Sequence, residues 1–484
     1  MKRPSPPYPM WFAYLFAILP LVTWWASGLF DLDEGFYGAV TAEMLRRGDF
    51  ITPYYNGQPW FEKPILLYWL AAPFIKIFGI WIGPRIPSVF CTIALYVLCG
   101  KFAKRHAGAW QARHVVYCLG TSLLVLALGR LMMTDAALNL AMTGAFLSFY
   151  TSLREDGDES TSEAKSEERK ANVERIQIGL WLGIAILAKG PVALLLFTPI
   201  AVLTYWLNPT LRPGFRGGWF AATATLLATV SSWYIPCYLV NREAFIQKFL
   251  IEQNLNRFTG GDAAHSLGLK GLPFYIPVLL IAVIPWGFTE AKRIWQSKAA
   301  TPLNRYLFTW AATIFIFFTI SSAKLPHYIL PVIAPLALLA ANSIATKEKT
   351  NARNPQVVLG MGVLLLFVIS GLQTSWYVKS GQAEAHTIAL RHPEINTVFR
   401  LGRQEKDMGT GTTDLQQTSL PSLIMVLNKS IQEVDDHEQV KPGSVVFTRN
   451  GRVSLDWGWT LVESGRNFEV YRTPPRSPRI HNEL

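Results

Sequence analysis

Long apolar runs recur along the chain with short polar turns between them, a pattern that predicts membrane-spanning helices rather than amphipathic ones. A bilayer core of roughly 30 Å takes about 20 mostly apolar residues per helix, with the backbone polar groups satisfied inside each one. Spans are expected near 10–29, 84–100, 112–129, 132–152, 176–189, 190–207, 218–240, 273–289, 306–321, 325–345 and 356–376, about eleven in all. The first run is too long for a cleaved signal peptide, and the acidic, aromatic stretch behind it offers no cleavage pattern, so it is read as a true span. The fold class is therefore an all-α polytopic membrane protein. Its tail after 377 has strand-like runs at 422–428, 444–448 and 468–472, which predict a small mixed α/β domain. The expected division is a transmembrane domain, 1–376, with outer loops 31–83 and 241–272, followed by a soluble domain, 377–484.

Lysine and arginine fix the orientation, because short basic loops stay on the cytoplasmic side. With Lys2 and Arg3 inside, the inner loops gather most of the loop cations, whereas the outer turns hold one each, Arg130, Lys189 and Lys324. An odd number of spans then puts the tail outside. A second apolar segment, 64–79, is not counted as a span, since crossing there would turn the basic loops outward. The formal charge of +12 belongs to the membrane part. Residues 377–484 hold thirteen basic and thirteen acidic side chains, so a nucleic-acid partner is not implied. All four cysteines fall within expected spans, and no disulfide framework or zinc motif is indicated.

Within the first outer loop, Phe36, Val40 and Met44 recur every four residues and Glu43 can meet Arg47, which predicts a helix over 36–47 at the membrane surface. The inner segment 154–175 is rich in charge and serine and reads as a solvated linker or frayed helix.

The chemistry-bearing residues collect on the outer face. Asp31, Asp33 and Glu34 emerge together after the first span, either as a base or metal-binding cluster or as acids at a helix N-terminus. Trp60, Glu62 and Lys63 stand in WFEKP, which alone reads as an ordinary exposed ion pair. Asp135, at the outer end of the fourth span, is an acid in apolar surroundings, with helix capping as its plain alternative. Lys189 in AKGP suits an anionic headgroup, against simple snorkelling to the interface. The second outer loop carries Glu252, Asn254, Arg257, Asp262 and His265, and KLPHY packs Lys324, His327 and Tyr328 into one turn. Acids for proton transfer, cations for a leaving phosphate and aromatics for a ring suit glycosyl transfer from a lipid-linked sugar.

The ordered motifs DEGFYGAVTAEMLRRGDFITPYYNGQPWFEKPILLYWL, TDAAL, LAKGP, NRF and KLPHYILP resemble the GT-C membrane glycosyltransferases over roughly residues 1–345. The bacterial aminoarabinose lipid A transferases are the nearer likeness, and the protein O-mannosyltransferases the more distant one. That resemblance implies an inverting transfer from a polyprenyl-phosphate sugar to a glycolipid, glycan or protein acceptor, on the periplasmic side of a bacterial plasma membrane. It implies Asp33 as the base, Asp135 as a second acid, and Lys63, Lys189, Arg257 and Tyr328 around the donor phosphate, with Lys324 added from its turn. Asp31, Glu34, Trp60, Glu62, His265 and His327 are expected to line the cavity. Relatives can hold a metal with a histidine and the glutamate matching Glu62. Here Asn254 stands at the histidine position, so no required cofactor is expected, and Glu62 with His265 are the weak candidates for a divalent ion. The competing classes are a transporter of lipid-linked sugars, which would show internal repeats and mid-membrane charges, and a non-catalytic scaffold for the tail.

Overall fold

The computed structural model describes residues 8–31, 33–155, 162–207, 211–212, 218–256, 268–321, 323–343, 355–399, 420–434 and 436–475. The chain forms a multi-pass membrane protein, mostly helical, with a small sheet near its C-terminus. Among the described residues, helices long and apolar enough to cross a bilayer lie at Leu66–His106, Glu168–Lys189, Gly218–Gln253, Pro302–Ile320 and Gly360–Lys379. Shorter apolar helices lie at Met10–Leu21, Val192–Leu207, Gly271–Ala282 and Pro326–Asn342. The contacts divide the chain into two interleaved units rather than at residue 376. One unit is residues 1–24, 61–70 and 85–370, and the other is 25–60, 71–84 and 371–484.

In the first unit several expected spans are broken, and side chains donate to backbone carbonyls at the breaks near Pro20 and Val283. The helix Met10–Ile18 gives way to a 3-10 turn at Leu19–Leu21, where Pro20 has no N–H to donate. Arg130, expected in an open outer turn, is buried here and donates to the Pro20 carbonyl at 2.8 Å and the Thr23 carbonyl at 2.7 Å. Arg85 donates to the Trp24 carbonyl at 2.9 Å. The expected spans 112–129 and 273–289 are likewise interrupted, at Ser122 and at Val283. Those two interruptions meet, since the Ser122 hydroxyl donates to the Ala282 carbonyl at 2.9 Å. Broken backbone at membrane depth persists only where such partners replace the missing hydrogen bonds. Of segment 154–175, read as a solvated linker or a frayed helix, residues 162–175 are helical and continue as one helix Ser162–Lys189, in which buried Arg175 binds Glu168 and Asn172. This helix packs on Gly218–Phe245 at Gly179 and Gly183, where an added Cβ would lie 2.0 Å from the Ala222 carbonyl oxygen and 2.6 Å from Thr229.

The second unit joins the first outer loop to the tail. The helix Asp33–Arg47 forms as its periodicity predicts, and Glu43 accepts from Arg47 at 2.8 Å. Every residue of it from Glu34 to Met44 is buried within the protein. Part of that cover is a helix Pro421–Leu427, where a strand was expected. An unbroken apolar run does not by periodicity separate a buried strand from a helix. Proline at its start favours the helix, and Asn428 at φ 50° stops it. The sheet has the order Gln432–Val434, Thr397–Phe399, Val445–Arg449, Phe468–Arg472, Thr460–Ser464, parallel for its first three strands and antiparallel beyond. The segment 64–79 is the front of the helix Leu66–Ile82, which kinks at Gly79 with φ 75°. At a rise of about 1.5 Å per residue the run before the kink covers roughly 20 Å, short of a bilayer core.

Candidate active site

In the first unit the site is built on Asp135 and Lys189. Asp135 is the second residue of the helix Thr134–Ser152 and is buried. Capping does not explain it: Met133 holds the N-cap position and no side chain caps that end. Its Oδ1 instead accepts from the Lys189 ammonium at 2.6 Å, while Oδ2 is buried with no hydrogen-bond partner among the described residues. Gly190, at φ 85°, ends the helix Ser162–Lys189 and leaves Lys189 as its last residue. Lys189 is thus not a snorkelling cation, because it reaches a buried acid. Its Nζ also stands 5.1 Å from the centroid of the Tyr328 ring. Lys63 and His327 act electrostatically on the same carboxylate. With two lysines and an imidazole around one aspartate, the surroundings favour an added anion, and the spare Oδ2 favours a donor such as a sugar hydroxyl.

Lys324 departs from the phosphate role expected for it. Its ammonium donates to the carbonyls of Phe318 at 2.8 Å, Thr319 at 2.6 Å and Ser321 at 2.5 Å, at the C-terminal end of the helix Pro302–Ile320. A lysine has three donors, and here all three cap that helix. Burial pushes its pKa below the ordinary lysine value.

In the second unit the three clustered acids have separate settings. Asp31 accepts from the Ser422 backbone N–H at 2.8 Å and from the Ser422 hydroxyl at 2.9 Å. Burial drives its pKa up to about 6, against the lowering effect of Ser422 and Gln382 and with a further rise from Glu34. Glu34, buried, accepts from the Phe30 backbone N–H at 3.1 Å. Only Asp33 is exposed, and its Oδ1 accepts from the Tyr37 hydroxyl at 3.1 Å. Trp60 stacks on Phe36 with centroids 5.0 Å apart. Its indole N–H is buried, with no hydrogen-bond partner among the described residues.

Of the two candidate metal ligands, Glu62 is half-buried in the first unit, while His265 lies outside the described residues, as does Arg257. Among the described residues no group of three or more His, Cys, Asp or Glu side chains is placed to hold a metal ion. Sequence reasoning missed Ser422 and His386, for which apolar runs and loop charges hold no signal.

The family model for dolichyl-phosphate-mannose-protein mannosyltransferases matches residues 12–246. The chain is 30% identical over 388 residues to the undecaprenyl phosphate-alpha-4-amino-4-deoxy-L-arabinose arabinosyl transferase of Shewanella sediminis, covering 75% of this chain and 66% of that protein. It is also 30% identical over 381 residues to the like-named protein of Aeromonas salmonicida, covering 75% and 65%. The chain thus spans just under two thirds of the length of these relatives. The crystal structure of ArnT from Cupriavidus metallidurans bound to undecaprenyl phosphate superimposes with a TM-score of 0.75 at 18% identity, over 96% of this chain and 97% of that one. By these likenesses the chain is similar in sequence to polyprenyl-phosphate-dependent membrane glycosyltransferases and shares its fold with one of them.

Proposed function

We propose that this protein transfers a sugar from a polyprenyl-phosphate donor to a glycolipid, glycan or protein acceptor at the periplasmic face of a bacterial plasma membrane. The observation that carries this reading is the Asp135–Lys189 pair, with Lys63, His327 and the Tyr328 ring around it. In the reaction the bond between the anomeric carbon and the phosphate oxygen breaks, and its electron pair leaves on the phosphate. Lys189 and Lys63 stabilise that charge where it develops. Asp135 holds Lys189 in place and offers Oδ2 to a donor hydroxyl. The family resemblance implies a single displacement by an acceptor oxygen, with Asp33, the exposed acid of its cluster, as the base that takes the acceptor proton. Were the acceptor a phosphate it would be ionised already, and Asp33 would orient it. The relatives named for undecaprenyl-phosphate aminoarabinose support this donor class, and the basic inner loops support the orientation.

The test is mass spectrometry of envelope glycolipids and glycoproteins with the wild type, with Asp33→Asn and without the protein. Loss of one glycan mass in the last two, with the variant inserted at normal abundance, is expected. Unchanged glycans without the protein, or full transfer by Asp33→Asn, would overturn the assignment.

A further inference from the structure

The acid that leads the candidate base along the chain is held by the tail. Asp31 binds Ser422 twice, through the backbone N–H and the hydroxyl. Behind Ser422 stands His386, whose Nε2 is 2.6 Å from the Ser422 Oγ, and behind that Tyr377, whose hydroxyl is 2.6 Å from His386 Nδ1. An ionised aspartate only accepts, so the Ser422 hydroxyl donates to it. That choice makes His386 Nε2–H the donor to Ser422 and leaves Nδ1 to accept from Tyr377. With a neutral imidazole every group in the row is satisfied, and burial holds the His386 pKa down at about 4.

Close packing accompanies the row. A Cβ on Gly35 would lie 2.5 Å from Asp31 Oδ1 and 3.0 Å from the Ser422 nitrogen, and one on Gly38 would lie 2.7 Å from Met425 Sδ. A second clamp holds the far side of the same loop. Asn56 donates to the Ile431 carbonyl at 2.6 Å and accepts from the Ile431 N–H at 2.8 Å, while Tyr55 donates to Glu433 at 3.1 Å.

We infer that Ser422, backed by His386, is a positioning residue for Asp33: by gripping Asp31 it sets where the first turn of the Asp33–Arg47 helix, and hence the Asp33 carboxylate, stands. The inference rests on the reading of Asp33 as the residue that receives the acceptor proton. It gives the tail a part in transfer that requires no tail residue to touch substrate.

The test uses the full chain in detergent. In an Asp33→Cys background, modification of the introduced thiol by a small charged methanethiosulfonate is timed with and without Ser422→Ala, subtracting the labelling of the Asp33 parent. A parallel set with Asp33 intact yields kcat and the donor KM. Ser422→Ala is expected to change the modification rate by about threefold or more. It should lower kcat about tenfold while the donor KM holds within about twofold. Ser422→Thr, which keeps the hydroxyl, restores both. Asp31→Asn, which keeps the shape, shifts the modification rate in the same direction and stands in if Ser422→Ala does not fold. Unchanged modification and kcat in a folded Ser422→Ala protein overturn the inference, as does a threonine that fails to rescue. If Ser422→Ala shifts the reactivity of the introduced thiol while no form transfers sugar, positioning stands and the transfer reading fails instead.

Discussion

Lys189 and Asp135, fifty-four positions apart in the sequence, meet at 2.6 Å, and neither is accounted for without the other. Removing one partner of a buried ion pair strands the other charge, at a cost of about 3–5 kcal/mol, whereas removing both relieves most of that cost. Lys189→Ala is therefore expected to be less stable than Lys189→Ala/Asp135→Ala, although all of these variants lose transfer. Thermal melts in detergent read the order. Additive losses in the double variant would show that the pair is not coupled.

Lys324 is expected to separate stability from donor binding. Lys324→Met leaves three carbonyls at the end of the helix Pro302–Ile320 without their donor. An unmade bond at a buried polar group costs about 1–3 kcal/mol, so the melting temperature should fall. The donor KM, measured on the fraction that remains folded, should stay within about twofold, whereas loss of a true phosphate ligand would raise it further. A KM increase at unchanged melting temperature would return Lys324 to the phosphate.

The contrast between these two lysines shows what the chain reveals before it folds. Both stand alone in outer turns between apolar runs, and loop charge treats them alike. Their difference is three nearby carbonyls for one and a distant acid for the other. Apolar lengths marked most helices correctly, but a hydropathy window averages over a single residue, so the interruptions at Ser122 and Val283 were invisible. The strands at 444–448 and 468–472 were legible as strand-like runs with turn residues between them. The run at 422–428 was not, because its role depends on the helix Asp33–Arg47 against which it packs.

The glycines of DEGFYG read as motif letters in the sequence, and the structure gives them a steric reason with a rank order. A methyl at Gly35 meets the fixed Asp31 carboxylate and a backbone nitrogen, whereas one at Gly38 meets the ends of Leu29 and Met425, which can turn aside. Overpacking costs about 1–3 kcal/mol, set against about 1 kcal/mol gained from alanine in a helix. Gly35→Ala should therefore destabilise the folded protein and Gly38→Ala should be close to neutral, a ranking that melts in detergent can check. Equal effects would mean that the Asp31–Ser422 contact yields as readily as a side-chain tip.

Asp31 and His386, two bonds apart through Ser422, should oppose each other in the pH dependence of stability. Burial raises Asp31 to about 6 from the ordinary carboxylate value near 4, so between those values the folded protein holds a proton that the unfolded chain releases. Its contribution to stability therefore falls as pH rises through that window. Burial lowers His386 to about 4 from an ordinary value near 6.5, so there the unfolded chain holds the extra proton, and this contribution grows as pH rises. In the wild type the two slopes largely cancel between about pH 4 and 6. Asp31→Asn removes the first and should melt lower at pH 4.5 than at pH 7, relative to wild type. His386→Gln removes the second and should melt higher at pH 4.5 than at pH 7 on the same scale. His392, raised by its hydrogen bonds to Glu394 and Glu463, titrates in all three proteins and drops out of the comparison. Parallel melting curves for the three across that range would mean that neither group titrates in the row as its burial requires.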